Sequence, residues 1–305
     1  MHLDIRYVTH FVYPTPVWES QNVLRACPLD TQDQRLVSYD LSVTPEAPVR
    51  SYTDRWGTRI DTFGVVDAHT ELIVNVTAAV ETSEPKSPPG GVPLERLQAE
   101  TASGEHWQYL QYSRHTRWTD ELSVVAAEAV RDADEVVDAV RAIQSVVHGR
   151  LDYRPGSTVV GVSPMAVWSQ GGGVCQDFAH LMIAMLRSQM IPARYVSGYF
   201  YAADPSAGDA PDDSEITVQT HAWVEAWVPG FGWWGVDPTN ELETGERHVI
   251  IGQGRDYDDV LPMRGVYYGD TDHALATEVV MSVSGLGPVE IPPVPHEQYA
   301  IRHTQ

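Results

Sequence analysis

Apolar and polar residues alternate along the first eighty positions, and then the period changes. Over residues 2–12 the apolar positions include Leu3, Ile5 and Tyr7, the period of a half-buried strand, and Pro14 and Pro16 are expected to end it. Val37, Tyr39, Leu41 and Val43 fall on one face of a second strand. Trp56-Gly57 marks a hairpin tip before a strand over residues 59–65, and Leu72, Val74 and Val76 define another over 71–80. Short strands at this spacing, separated by turn residues, predict an antiparallel sheet or sandwich. Polar residues in this half read as strand-face and turn residues, with no cluster that resembles a reactive set.

Residues 83–93 read SEPKSPPGGVP, which predicts an extended connector. Beyond it, Thr119-Asp120 can cap a helix, and Val136, Val140, Ile143 and Val147 recur at helical spacing until His148-Gly149 closes the run. A turn of three glycines, Gly171 to Gly173, precedes a second helical pattern through Val174, Phe178, Leu181, Met182 and Met185, which stops before Pro192. Residues 221–228 alternate again, with Ala222, Val224, Ala226 and Val228 on one face and His221, Trp223, Glu225 and Trp227 on the other. Residues 229–232 turn the chain and 233–237 return beside it. The expected organisation is a β-rich domain over 1–83, a linker over 84–104 and an α+β domain over 105–305, with an antiparallel sheet under its second helix.

Composition narrows the partners. The 305 residues carry 20 Lys and Arg against 42 Asp and Glu, a formal net charge of −22, and Lys86 is the only lysine. Such a surface repels phosphate, so neither nucleic acid nor an anionic membrane is expected as a partner. No apolar run reaches the length of a membrane span, and the start, MHLDIRYVTH, lacks the pattern of a secretory signal. Cys27 and Cys175 can form at most one bridge, so a reducing cytoplasm is the expected location. The sequence says nothing of oligomeric state.

The candidate chemistry begins at Cys175. It falls in the first turn of a largely apolar helix, where unpaired N–H groups and the helix dipole favour a thiolate and where an oxyanion can be bound. A lone cysteine is more often a buried structural one, so a base is required as well. On a helix Asp177 lies about 200° around from Cys175 and His180 about 140° around, so neither faces the thiol. The base must come from elsewhere in the chain; taken alone, His221 reads more often as a satisfied strand histidine and Asp237 as a turn residue. Asp237 reaches the face of His221 only if a bulge or an odd-numbered turn joins the two strands. Cys27, in RACP, has no histidine or glycine turn beside it and reads as structural.

Three segments, GGGVCQDFAHLMIAMLRSQMIPARYVSGY, THAWVEAWVPGFGWWGVDPTN and GRDYDDVLPMRGVYYG, together resemble the transglutaminase-like superfamily of papain-like cysteine enzymes. The opening LDIRYVTHFVYPTPVWESQNVLRACP is similar to the β-rich domain that precedes the core in bacterial members. The resemblance implies Cys175 as nucleophile, His221 as base and acid, and Asp237 as orienter, in that order and at separations of 46 and 16 residues. It also implies a side-chain donor to an oxyanion hole, for which Tyr153 is favoured over Gln170. The implied activity is cysteine-dependent acyl transfer on amide bonds of a peptide or protein. Hydrolysis is the expected outcome. Transfer to an amine, as in protein-glutamine transglutaminases, and a silent binding module on the same fold are the alternatives. No cofactor and no metal are expected. The acidic stretch with Asp209, Asp212, Asp213 and Glu215 reads as a solvated loop, and Asp256, Asp258 and Asp259 lack a calcium-loop pattern.

Overall fold

The computed structural model describes residues 1–104, 106–202, 215–283, 286, 287, 289 and 291–294. Asp209, Asp212 and Asp213 lie outside them. The first part of the chain forms β1 (His2–Leu24), β2 (Gln34–Thr44), β3 (Val49–Thr53), β4 (Arg59–Val65) and β5 (His69–Thr82). The middle forms α1 (Leu94–Ala102), α2 (Asp120–Ala129), α3 (Val136–Arg150), β6 (Asp152–Tyr153), α4 (Pro164–Gln170), β7 (Gly172–Gly173) and α5 (Cys175–Ser188). There follow β8 (Ala193–Phe200), β9 (Ile216–Val218), β10 (Thr220–Val228), β11 (Gly232–Asp237), β12 (Leu242–Glu243) and β13 (His248–Gly254). The last are α6 (Tyr257–Val260), β14 (Met263–Tyr268) and β15 (Ala274–Ser282).

The α+β expectation holds. One sheet is built around β1, and a second, five-stranded antiparallel sheet has the order β12-β11-β10-β8-β13. Helix α5 lies against the second sheet, chiefly on β10. Its residues Asp177 through Arg187 are all buried, because α2, α3 and α4 cover the face turned away from the sheet. A helix that is buried all round must satisfy any charge it carries internally. Arg187 does so by donating to the carbonyls of Ala193, Gln111 and Arg255 and to Thr116 Oγ1. Ala222, Val224, Ala226 and Val228, which the alternation groups on one face of β10, are the residues that meet the helices.

Four local expectations need correction. Strand β1 does not stop at Pro14 and Pro16. It pairs with β15 up to Val12 and with β5 up to Val12 and again at Val17, then with β14 from Trp18 and β4 from Ser20, and the ladder slips between Val12 and Val17. The prolines sit in that slip, where no N–H is needed for the ladder. In β2 the register shifts between Leu36 and Ser38, so Val37 is exposed while Tyr39 and Leu41 pack inward. The helical run that begins at Thr119 is two helices, α2 and α3, separated at residues 130–135. The connector over 84–104 contains α1, whose Leu97 is buried in the helical core.

The assignment of 105–305 to one core domain also changes. β14 and β15 return to the first sheet and pair with β1. Val279 and Met281 share a core with Leu3, Ile5, Leu72 and Val74. Among the described residues the first sheet thus takes strands from the start of the chain, β9 between two strands of the second sheet, and the last two strands. Met281→Ala, 281 being a fully buried position, should cost about 2–5 kcal/mol of stability, as core truncations do. Urea unfolding checks this, and a loss below about 0.5 kcal/mol would contradict the shared core.

Candidate active site

The glycine turn and α5 are fitted to one another. Gly171 closes α4 with φ +67°, a conformation that favours glycine. Gly172 and Gly173 pair in parallel with Asp152 and Tyr153. A Cβ on Gly173 would stand 2.7 Å from Asp177 Oδ2 and 2.8 Å from Asp177 Cβ, so only glycine leaves room for that side chain. Asp177 Oδ2 in turn accepts from the Val174 N–H at 2.9 Å and from Thr158 Oγ1 at 2.6 Å. The acidic residue in the first turn of α5 is therefore a helix cap, and it ties the loop after Tyr153 to the same turn. Its carboxylate is turned to the cap, as the helical geometry requires. His180 is inside the protein, stacked on His115 with ring centroids 5.1 Å apart, and its Nε2 accepts from the Tyr257 N–H. Burial, with His115 and Arg187 nearby, pushes it well below the ordinary histidine range.

Cys175 is half-buried, with Sγ 4.0 Å from the carbonyl of Thr220, and its side chain hydrogen-bonds the His221 ring. His221 Nε2 meets Asp237 Oδ2 at 2.7 Å, which leaves Nδ1 for the thiol. The turn between the two strands settles the register. Val228 pairs with Gly232, so residues 229–231 form a three-residue loop, and Gly230 and Gly232 have φ of +80° and +110°. Val224 pairs with Val236. One step further, Asp237 falls beside Trp223, on the face that carries His221 and diagonal to it. The odd-numbered turn that this geometry needs is present.

Asp237 has no exposed surface. Its Oδ1 accepts from the N–H groups of Thr239 and Asn240 at 2.9 and 3.2 Å, and its Oδ2 accepts from Asn240 Nδ2 at 2.7 Å and faces His248 Nε2 at 3.4 Å. Burial alone would raise the acid, but the bonds to His221, His248 and Asn240 hold it well below the usual carboxylate range. Burial alone would lower His221, but its bonds and charge interactions with Asp237 and Cys175 raise it to about 10. At neutral pH the His221 ring is protonated, held between the Asp237 carboxylate and the Cys175 sulfur.

Tyr153 is 50% exposed, in the short strand beside Gly173. Burial, and then the neighbouring Cys175, raise its phenol above the ordinary tyrosine value. Gln170 donates its amide to the carbonyl of Gly172 at 2.7 Å. Cys27 is buried, with Sγ on the carbonyl of Pro28, and burial, against the opposing pull of Arg59, leaves it at about 11.

With this geometry in place, the comparisons decide the family. Residues 124–238 match the transglutaminase-like superfamily, and residues 3–81 match the bacterial transglutaminase-like N-terminal region. An uncharacterized protein of Mycobacterium leprae is 34% identical over 267 residues, covering 88% of this chain and 93% of its own. The chain belongs to the transglutaminase-like superfamily. A crystal structure from Cytophaga hutchinsonii, provisionally described as a cysteine protease, has the same fold. It gives a TM-score of 0.70 at 24% identity, over 96% of this chain and 94% of that one. A protein-glutamine gamma-glutamyltransferase of Pseudomonas aeruginosa is 40% identical over 70 residues, 23% of this chain and 10% of that protein.

The transglutaminase-like core also brings together residues that sequence reasoning did not single out. Asn240 and the Thr239 N–H close a turn around Asp237, which the Asp-Pro-Thr-Asn string signals in principle. His248 comes from β13 and carries no local signal. Among the described residues, His221, Asp237 and His248 form one group spaced as metal ligands, and His115, Asp256 and Asp258 form another. Every donor in both groups already takes part in a hydrogen bond. A cavity of about 650 Å³ lies on the Trp223 and Glu225 side of the sheet and is walled by Trp227, Trp233 and His248. Cys175, His221 and Asp237 do not line it.

The titration directions fix a pH dependence of stability. His221, raised in the folded state, contributes fully below about pH 6.5, its unfolded value. That contribution declines as pH rises through about 10. Asp237, lowered in the folded state, contributes above about pH 3.9 and is lost on acidification. The stability gap between the parent and His221→Gln should therefore be widest at pH 5–6 and narrow steadily towards pH 10. Urea midpoints across that range test it, and a gap that widens with pH would contradict the pairing.

Proposed function

We propose that this protein is a cysteine-dependent acyl-transfer enzyme acting on the amide bonds of peptides or proteins, with water as the usual acceptor. The observation that carries the reading is the hydrogen-bonded line from Cys175 through His221 to the buried Asp237, set at the first turn of α5. In this reading the Cys175 thiolate attacks the carbonyl carbon. The oxyanion is met by backbone N–H groups at the start of α5, ahead of the Asp177 N–H that bonds the Val174 carbonyl, and by the Tyr153 hydroxyl. Gln170 is set aside because its amide already serves Gly172. His221 Nδ1–H then protonates the leaving amine, and the C–N bond breaks to leave a thioester on Cys175. Water attacks the thioester as His221 takes its proton, the C–S bond breaks, the acid leaves, and the Cys175 thiolate and protonated His221 are regenerated. Asp237 keeps its charge throughout and holds the imidazole by Nε2.

Water is the favoured acceptor because the half-buried thiol and the half-exposed Tyr153 open to solvent. Transfer to an amine is the second reading, and the similarity over 70 residues to a protein-glutamine gamma-glutamyltransferase favours it.

Removing the base separates the roles. His221→Ala should reduce turnover by about 10²–10⁴-fold, and Cys175→Ala should abolish it. Asp237→Asn should retain more activity than His221→Ala. Activity in His221→Ala equal to the parent would overturn the assignment of the base. The acceptor is read by mass spectrometry of a peptide library incubated with and without a primary amine. Cys175-dependent cleavage or ammonia loss is expected in both, and amine addition that outpaces hydrolysis would select the second reading.

A further inference from the structure

His248 opens β13, and residues 238–247 carry the chain around from Asp237 to it. Its ring is fixed on both sides. The Gly245 N–H donates to His248 Nδ1 at 3.1 Å, so in the neutral ring the proton is on Nε2. Nε2 stands 3.4 Å from Asp237 Oδ2, the same oxygen that His221 Nε2 meets at 2.7 Å. Phe200 and Trp223 hold the plane of the ring, with centroids at 4.6 and 5.2 Å, and Phe200 also lies 5.5 Å from the His221 ring. The charged groups that act on His248 are Asp237, His221 and Arg247. Burial, together with the two cations, outweighs Asp237 and keeps the ring neutral at pH 7.

This neutrality has a chemical consequence. A second imidazolium on Oδ2 would compete with His221 for the single negative charge. A neutral donor instead fixes the direction of the carboxylate and leaves that charge to His221.

We propose that His248 is a positioning residue for the acyl-transfer reaction, holding the Asp237 carboxylate so that His221 keeps Nδ1 turned to Cys175. The inference rests on the functional reading above. It differs from a packing role in what it asks of the side chain. Packing between Phe200 and Trp223 requires an aromatic ring, whereas positioning requires an N–H.

Two substitutions separate these requirements. His248→Phe keeps the ring and removes the donor, and His248→Gln removes the ring and keeps an N–H. The rate of Cys175 alkylation by iodoacetamide, read on its own peptide from pH 5.5 to 9, reports thiolate–imidazolium pairing without any substrate. His248→Phe should slow alkylation at pH 6.5 by about tenfold. His248→Gln should recover most of the parent rate even where its melting temperature is the lower of the two. A parent-like profile in His248→Phe would overturn the proposal, as would a loss in His248→Gln as deep as in His248→Phe. Should neither variant fold, ¹⁵N chemical shifts of the parent's histidine rings at pH 7 decide. A proton on Nε2 and none on Nδ1 of His248 supports the proposal, and a charged ring or the opposite tautomer contradicts it. Failure of the functional reading looks different, since no Cys175-dependent turnover would then be found in the parent itself.

Discussion

A carboxylate with no contact to solvent governs this site. Burying an ionised group costs several kcal/mol unless charge and hydrogen bonds replace its hydration. Around Asp237 the replacement is complete: two backbone N–H groups, the Asn240 amide and two imidazoles converge on its two oxygens. Most of the local architecture follows from that demand. The three-residue turn after β10 places Asp237 on the face of His221. The turn at 237–240 supplies three donors, and β13 supplies the fifth. The imidazole that shares the charge stays protonated, and its other nitrogen is left for the thiol.

Cys175 is set by a separate device at the opposite end of the line. Asp177 caps α5 and reaches back to Val174 and Thr158, and Gly173 leaves it room. This anchors the turn that carries Cys175 to the strand that carries Tyr153. Helix α5 cannot shift easily, because eleven consecutive residues of it are buried between helices and sheet. The two devices meet at Cys175 and His221, where α5 begins against β10, so small displacements of either element would be felt there first.

Much of this was legible in the sequence because it depends on local rules. The alternation of 221–228 separated the two faces of β10, and the glycine turn before an apolar helix located Cys175. Helical angles removed Asp177 and His180 as partners of the thiol. The failures have a common origin in tertiary pairing. Pro14 and Pro16 are strand breakers by propensity, yet β1 changes neighbours where they occur and needs no bond from them. Residues 263–282 follow the core in sequence, but their partners are in β1, and no local pattern records a pairing some 260 residues distant. His248 is silent for the same reason. Its significance comes from Asp237 and Gly245, which only the fold brings to its two nitrogens.

The central claim is that an acyl group passes through Cys175. Trapping that intermediate tests it most directly. The parent would be mixed with a p-nitrophenyl ester of a blocked amino acid, quenched in acid within seconds, and mapped by peptide mass spectrometry. The account predicts a hydroxylamine-labile acyl group on the Cys175 peptide, absent from His221→Ala and displaced by added water-competing amine only slowly. An acyl group found on any other residue, or equal labelling of Cys175 in the parent and in His221→Ala, would contradict it.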